Sequence, residues 1–340
     1  MSVDKTLDQA IEHHVNGQLD QALTLYLQAL QLNPRTPVAA DLISAILRTH
    51  FELALTLMKV GRNKDAILSF QRVLAIQPDE SVVHAYLSRL FISGDDLHQA
   101  TLHLRHYLRL VPEDHIGARM LLAYTGAEAI PERPAQSYIE RFYDNYANSY
   151  DQKLVNGLQY QAPQIILAAL QQHCQDKIDP DTVDILDLGC GTGLCGQALR
   201  PMAKRLDGVD LSPQMLAKAQ QRNIYDELEV ADIYPFMEKK SGCYDVIVAA
   251  GLFEHIGDPR HVLTAAFRAL KDRGVFIFTA EDNPTQELGV NSSAYYTHGR
   301  TYLAERATQS GFSVNALEPT VLWIENGTPV QGLCVVLSKP

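Results

Sequence analysis

Apolar positions in the first 125 residues fall at helical spacing, and the whole pattern recurs. A Gly or Asp opens each copy, followed by Ala, an aromatic residue or Leu four positions on, a small or apolar residue with Leu, and a closing Pro. The copies read Gly17–Ala22–Tyr26–Ala29–Leu30–Pro34, Gly61–Ala66–Phe70–Val73–Leu74–Pro78 and Asp95–Ala100–Leu104–Tyr107–Leu108–Pro112. Ala66 and Ala100 stand 34 residues apart, as do Pro78 and Pro112, so the pattern predicts stacked helix pairs of one fixed period. Pro34 and Pro78 are 44 apart, so about ten extra residues near Arg35–Ile46 lengthen one connection or helix. Residues 115–125 read as a single solvating helix that closes the stack.

Downstream the pattern changes to short apolar runs alternating with helical segments, which predicts an α/β fold with a parallel sheet. Strands are expected at Val183–Leu188, Leu206–Leu211, Leu228–Phe236 with Asp232 at the strand end, Tyr244–Pro259 with its loop, Gly274–Asp282, Phe312–Glu325 and Gly332–Leu337. Helices are expected at Pro163–Gln172, Thr192–Ala203, Pro213–Arg222 with Ser212 as N-cap, Pro259–Leu270 and Arg300–Ser310. The Asn326–Gly327 turn makes the last two strands antiparallel. A loop over Asp282–His298 is long for a plain connection, which favours a functional role.

Candidate chemistry sits at the ends of these strands. VDILDLGCGTG, Val183–Gly193, places Asp187 before three alternating glycines, Gly189, Gly191 and Gly193. Such glycines let the backbone turn tightly and approach a ligand. A dinucleotide fingerprint would need glycine at 194, where the chain has Leu194. The D-x-G-x-G-x-G spacing instead resembles the first motif of class I S-adenosylmethionine (SAM) methyltransferases. The resemblance continues through Asp210 and Leu211 at the second strand end, Asp232 and Ile233 at the third, and the GLFEHIGDP loop after the fourth. It implies SAM as cofactor and S-adenosylhomocysteine (SAH) as product. By resemblance, Asp210 takes the ribose hydroxyls, Asp232 the adenine amino group, and Asp187, Gly189, Cys190, Gly191, Leu211, Met215 and Ile233 complete the cofactor site. Phe142–Tyr143–Asp144, Ala147 and Tyr150–Asp151 resemble the FDxxAxxYD segment that lids the cofactor in many small-molecule methyltransferases. Tyr143, Tyr146 and Tyr150 would share one helical face, with Tyr143 and Tyr150 on the cofactor. His255 is the best placed base, Glu254 a weaker alternative, and His298 with Tyr295 and Tyr296 could face the substrate from the long loop.

The 34-residue repeats look like tetratricopeptide (TPR) repeats, and the whole chain resembles bacterial predicted methyltransferases with N-terminal TPR repeats. That divides it into a TPR domain at 1–126, a proline-bearing linker at 127–137, and a Rossmann-like methyltransferase domain at 138–340. The expected sheet has seven strands, one antiparallel end strand, and helices on both faces. Net charge is −11. The basic field that a nucleic-acid backbone demands is missing, which argues against such a substrate. The absence of N-P-P-Y or D-P-P-Y after the fourth strand argues against adenine amino-methylation. Five cysteines without a C-x-x-C pair, Cys174 among them, read as reduced thiols of a cytoplasmic protein. No apolar run predicts a signal core or a membrane span, and no metal cluster is evident.

Three readings follow. The favoured one is methylation of a small-molecule or peptide- or carrier-borne acceptor, with the repeats giving recruitment or oligomerisation. The second is a protein methyltransferase whose substrate the repeats hold. The third is an adaptor with a vestigial fold, against which the intact glycine turn and both acids count.

Overall fold

The computed structural model describes residues 2–173 and 182–340, so Cys174 lies outside the described residues. The chain divides into two compact units, Met1–Leu110 and Val111–Pro340.

The first unit holds six helices: α1 (Val3–Val15), α2 (Leu19–Leu32), α3 (Pro37–Lys59), α4 (Asn63–Ile76), α5 (Ser81–Ser93) and α6 (Leu97–Leu110). The repeat positions do one job in each copy. Ala22, Ala66 and Ala100 are fully buried, and so are Tyr26, Phe70 and Leu104 four residues on. The turn before each copy takes a left-handed backbone, at Gly17 (φ 74°), Gly61 (φ 76°) and Asp95 (φ 60°). Aspartate tolerates that region better than most residues. The ten extra residues lengthen a helix: α3 runs 23 residues. A histidine cluster joins α5 to α6. The Pro78 carbonyl can only accept, so His84 Nε2–H donates to it at 2.8 Å. Neutral His84 then accepts at Nδ1 from His103, 2.9 Å away. His106 stacks on His84 at 5.0 Å between ring centroids.

The second unit opens with α7 (Ala118–Tyr124), α8 (Gln136–Tyr146), a π-helical turn (Gln152–Gly157) and α9 (Ala162–His173). Helix α7 does not serve as a solvating end helix. It belongs to this unit, and its Ala118, Met120, Leu121 and Leu122 are buried. The two compact units meet between Leu110 and Val111, and the 127–137 segment lies within the second unit.

The α/β layers follow: β1 (Asp184–Leu188), α10 (Leu194–Leu199), β2 (Arg205–Asp210), α11 (Pro213–Arg222), β3 (Glu227–Val230), α12 (Ile233–Glu238), β4 (Tyr244–Ala249), α13 (Arg260–Ala269), β5 (Leu270–Glu281), β6 (Leu288–Val290), β7 (Tyr296–His298), α14 (Arg300–Gln309), β8 (Ser313–Glu325) and β9 (Thr328–Ser338). The sheet order is β3-β2-β1-β4-β5-β9-β8. Strands β1 to β5 are parallel, and β9 runs antiparallel to both β5 and β8. The antiparallel strand is thus last in sequence but second from the sheet edge. Continuous apolar runs split by parity, as strands buried on both faces require. Leu186, Ile247, Phe276 and Val335 pack with α12, α13 and α14, while Ile185, Val246, Ile277 and Val336 pack with α9 and α10. Two local expectations differ. Ile233–Phe236 is helical because Asp232 caps α12 and ends the strand at Val230, and the Asp282–His298 loop contains the β6–β7 hairpin. Among the described residues no helix is long and apolar enough to cross a membrane, and no group of His, Cys, Asp and Glu could hold a metal ion.

The histidine cluster makes the first unit acid-sensitive. Burial pulls His84 down and pulls His103 down to about 4, with neighbouring imidazoles and, for His84, the Arg109 charge adding to the effect against Asp79. A histidine with a lowered folded pKa leaves stability intact above its unfolded value near 6.5 and drains it as pH falls toward 4. Denaturant titrations followed by helical signal should therefore show stability dropping across pH 6.5 to 4, and His103→Gln should flatten that slope.

Candidate active site

The glycine turn between β1 and α10 is held by carboxylates. Asp210, at the end of β2, accepts the Gly191 N–H at 2.9 Å and the Ser212 N–H at 2.8 Å, one on each oxygen. Burial raises the Asp210 pKa against the pull of these N–H groups. Asp187, inside β1, accepts the Tyr225 hydroxyl at 2.7 Å. Burial lifts Asp187 to about 7, although that hydrogen bond favours its charged form. Gly189 sits at φ 70° with Leu252 pressed so close that a Cβ would lie 2.9 Å from it. Gly191 sits at φ 54°, and a Cβ there would meet no protein atom within 4 Å. The room over Gly191 is space that the chain shapes but does not fill.

Three hollows surround this turn. A cleft of about 980 Å³ is lined by Gly189, Asp210, Leu211, Asp232 and Ile233, with Tyr143 and His255 opposite and Arg133 at one end. A recess of about 330 Å³ lies over Asp187, Gly189, Cys190, Gly191 and Thr192, walled by Tyr150 and Tyr160. A larger cavity of about 1670 Å³ shares Tyr150, Leu154 and Tyr160 with the recess and reaches Glu254, Tyr295 and Trp323. The 127–137 segment contributes a wall as well as a connection. Arg133 pairs with Asp232 at 2.7 Å and stacks 4.2 Å over the Tyr234 ring.

The aromatic segment is fastened rather than loose. Asp144 accepts the Ser212 hydroxyl at 2.6 Å, beside Asp210. Asp151 accepts the Thr192 hydroxyl and the Arg222 guanidinium, both at 2.5 Å. Each aspartate thus pins the segment to one of the two turns that form the cleft. Helix α8 ends at Tyr146 and the chain turns before Tyr150, so the three tyrosines do not lie on one helix, although the Tyr143 and Tyr150 rings still meet edge to face at 5.9 Å. Tyr143 enters the cleft, whereas Tyr146 stacks on Phe142 at 4.8 Å and lines the larger cavity with Tyr150.

The proton-transfer candidates separate. The Tyr143 hydroxyl, held protonated by burial, donates to His255 Nε2 at 2.5 Å. His255 Nδ1 has no partner among the described residues, and burial pulls this ring down to about 4. His255 is a neutral wall of the cleft. His298 and Tyr296 line none of these hollows. Two apart on β7, they point into the protein: His298 Nε2 bonds the Gly257 carbonyl at 3.0 Å, and the Tyr296 hydroxyl donates to the Pro131 carbonyl at 2.7 Å. Tyr295, just before the strand, enters the larger cavity instead. Met215 is a buried residue of α11, outside all three hollows. Cys190 borders the recess as a buried thiol whose pKa burial drives upward, so it is no nucleophile. Sequence reasoning missed Arg133 and the pinning roles of Asp144 and Asp151; only the acid at each end of FDxxAxxYD hinted at the latter.

Residues 186–276 match a family model described as a methyltransferase domain, and residues 47–80 match one described as a tetratricopeptide repeat. Methyltransferase-like protein 27 of Homo sapiens is 36% identical over 112 residues, covering 32% of this chain and 44% of that protein. A ubiquinone biosynthesis O-methyltransferase of Pseudomonas syringae pv. syringae is 30% identical over 120 residues, covering 33% and 50%. The chain thus spans about half the length of the curated relatives it matches. Among solved structures, the 4+2 cyclase SpnF aligns over 62% of this chain and 98% of its own, with a TM-score of 0.50 at 14% identity. Magnesium protoporphyrin IX methyltransferase from Synechocystis, solved with SAM bound, aligns over 60% and 97% with a TM-score of 0.47 at 15% identity.

If the aspartate pins hold the segment closed, breaking one should open it. Losing a hydrogen bond to a charged group costs roughly 1.5–3 kcal/mol, so Asp151→Ala should speed amide exchange across residues 147–157 about ten- to hundredfold. Hydrogen-exchange mass spectrometry reads this directly, and unchanged exchange would mean that ring packing alone holds the segment.

Proposed function

We propose that this class I methyltransferase fold, joined to tetratricopeptide repeats, binds SAM along the Asp210–Asp232 cleft and delivers its methyl group to an acceptor in the Glu254 cavity. The observation that carries the reading is the shared wall. The recess over the glycine turn shares Gly189 with the cleft and Tyr150, Leu154 and Tyr160 with the cavity, so a donor and an acceptor can meet there.

The residues fit the cofactor. Asp210 keeps a carboxylate toward the cleft for ribose hydroxyls, with two backbone N–H groups fixing its plane. Asp232 and Ile233 would border the adenine, and the open space over Gly191 and Asp187 would take the amino-acid end. When bound, SAM supplies an electrophilic methyl group on a sulfonium. The chain supplies position and a dry site: proximity alone is worth roughly 7–11 kcal/mol. Tyr143 and Tyr150 screen water, held by the pins at Asp144 and Asp151. His255, neutral and bonded to Tyr143, fixes that ring over the cleft. Arg133 must release Asp232 if the adenine amino group is to take its place.

The cavity has room for a small molecule or a short peptide- or carrier-borne group. The repeats would recruit a partner protein or a second copy. Deleting residues 2–110 should leave turnover on an isolated small acceptor intact, and its loss would argue against a mere docking role for the repeats. The cofactor assignment is tested by calorimetry with SAH. Hydrogen bonding to a charged group is worth roughly 1.5–3 kcal/mol, so Asp210→Ala should lower affinity about ten- to hundredfold. Unchanged affinity would overturn the assignment.

A further inference from the structure

The larger cavity has an unmatched charge requirement. Glu254 is 3% exposed, and neither carboxyl oxygen has a hydrogen-bond partner among the described residues. Its neighbour Glu281 is also largely buried, yet both of its oxygens accept from the Asn291 amide at 3.0 and 2.9 Å. The absence of partners is therefore particular to Glu254. Among the described residues no cation answers it: besides Glu254, the charged side chains on the cavity wall are Lys153 and Glu325, both exposed, with Lys153 4.1 Å over the Tyr146 ring. Phe142, Tyr146, Tyr150, Tyr160, Tyr295 and Trp323 supply the rest of the lining that matters. Aromatic faces carry negative charge density and attract cations, most strongly where water is excluded.

We propose that the Glu254 cavity binds its acceptor as an ammonium, so that the atom methylated is an amine nitrogen. The methylation step rests on the methyl-transfer reading above, whereas the ammonium site stands on the cavity alone. A buried carboxyl without a partner favours its neutral form, and an arriving cation reverses the preference. Burial pushes Glu254 up to about 8, its own backbone N–H opposing and Glu281 adding. In the free protein near neutral pH the group is a carboxylic acid. An ammonium turns it into a carboxylate and expels its proton to solvent. A phenol or alcohol arrives neutral and leaves Glu254 a neutral acid, so it gains no charge pairing and releases no proton.

The same pair serves the transfer. The ammonium passes one proton to the Glu254 carboxylate, which frees the nitrogen lone pair. That pair forms the N–C bond while the methyl–sulfur bond breaks with its electrons going to sulfur. The products are a methylated ammonium, a thioether and a proton on Glu254, which leaves through the open mouth of the cavity. Charge and atoms balance, and no metal or second base is called on.

Calorimetry without cofactor tests the site, with phenethylamine against 2-phenylethanol in two buffers of different ionisation heat near pH 7. The amine should bind about tenfold tighter or better and release close to one proton for each molecule bound. Glu254→Gln should lose both the preference and the proton release while keeping wild-type affinity for SAH. Tyr295→Leu should weaken amine binding with little change for the alcohol, which keeps the test alive if the glutamine variant fails to fold. Equal or tighter alcohol binding, no amine binding, or binding without proton release would each overturn the proposal. SAH is titrated separately. Amine preference without SAH binding would retire the methyl-transfer reading and leave the ammonium site, and SAH binding without amine preference would do the reverse.

Discussion

The carboxylate of Asp210 holds two pieces of backbone at once, the glycine turn through Gly191 and the start of α11 through Ser212. Those two turns form the floor of the cleft, and the aromatic segment above fastens to the same pair, Asp151 to Thr192 and Asp144 to Ser212. Floor and cover therefore share their anchors. A shift of the glycine turn would move the Asp151 pin with it. Asp187 and Tyr225 brace the turn from beneath, where Tyr225 also packs against Gly193 and Gly196 closely enough to exclude side chains there.

Much of this was legible because it follows from spacing. The 34-residue interval marked positions that are buried alike in each repeat, and alternating glycines after an apolar run marked the turn. Strand-end acids were legible too, since a parallel sheet presents its C-terminal strand ends along one edge. Contacts that depend on where a helix stops were not. Spacings of three and four residues put Tyr143, Tyr146 and Tyr150 on one helical face, but the helix ends at Tyr146, and nothing in their side chains reports that break. His298 and Tyr296 looked available because a polar loop was expected. The β6–β7 hairpin turned both inward and gave the cavity Tyr295 instead.

Glu254 and His255 illustrate a different limit. Side by side after β4, both are acid–base residues in a loop that borders the cleft and the larger cavity, and sequence ranks the histidine first. Burial inverts the order. It lowers the imidazole and raises the carboxyl, so the histidine becomes a neutral packing group and the glutamate a group poised near neutral pH. A pattern of residue types cannot carry that inversion, because it arises from what surrounds each side chain. Arg133 makes the same point from the other direction: a segment rich in proline reads as a connector, yet its guanidinium occupies the acid at the end of the cleft.

Strand β9 lies between β5 and β8, so β8 has no place in the sheet until β9 has been laid down against β5. On a ribosome, β8 would emerge as a strand of 13 residues with both of its edges unpaired. The tight turn at Asn326–Gly327 shortens that interval, since β9 follows β8 after two residues and the two can zip as a hairpin before docking. Docking of such a hairpin would deliver both strands together to the free edge of β5, so that β8 would not have to be added as a lone strand.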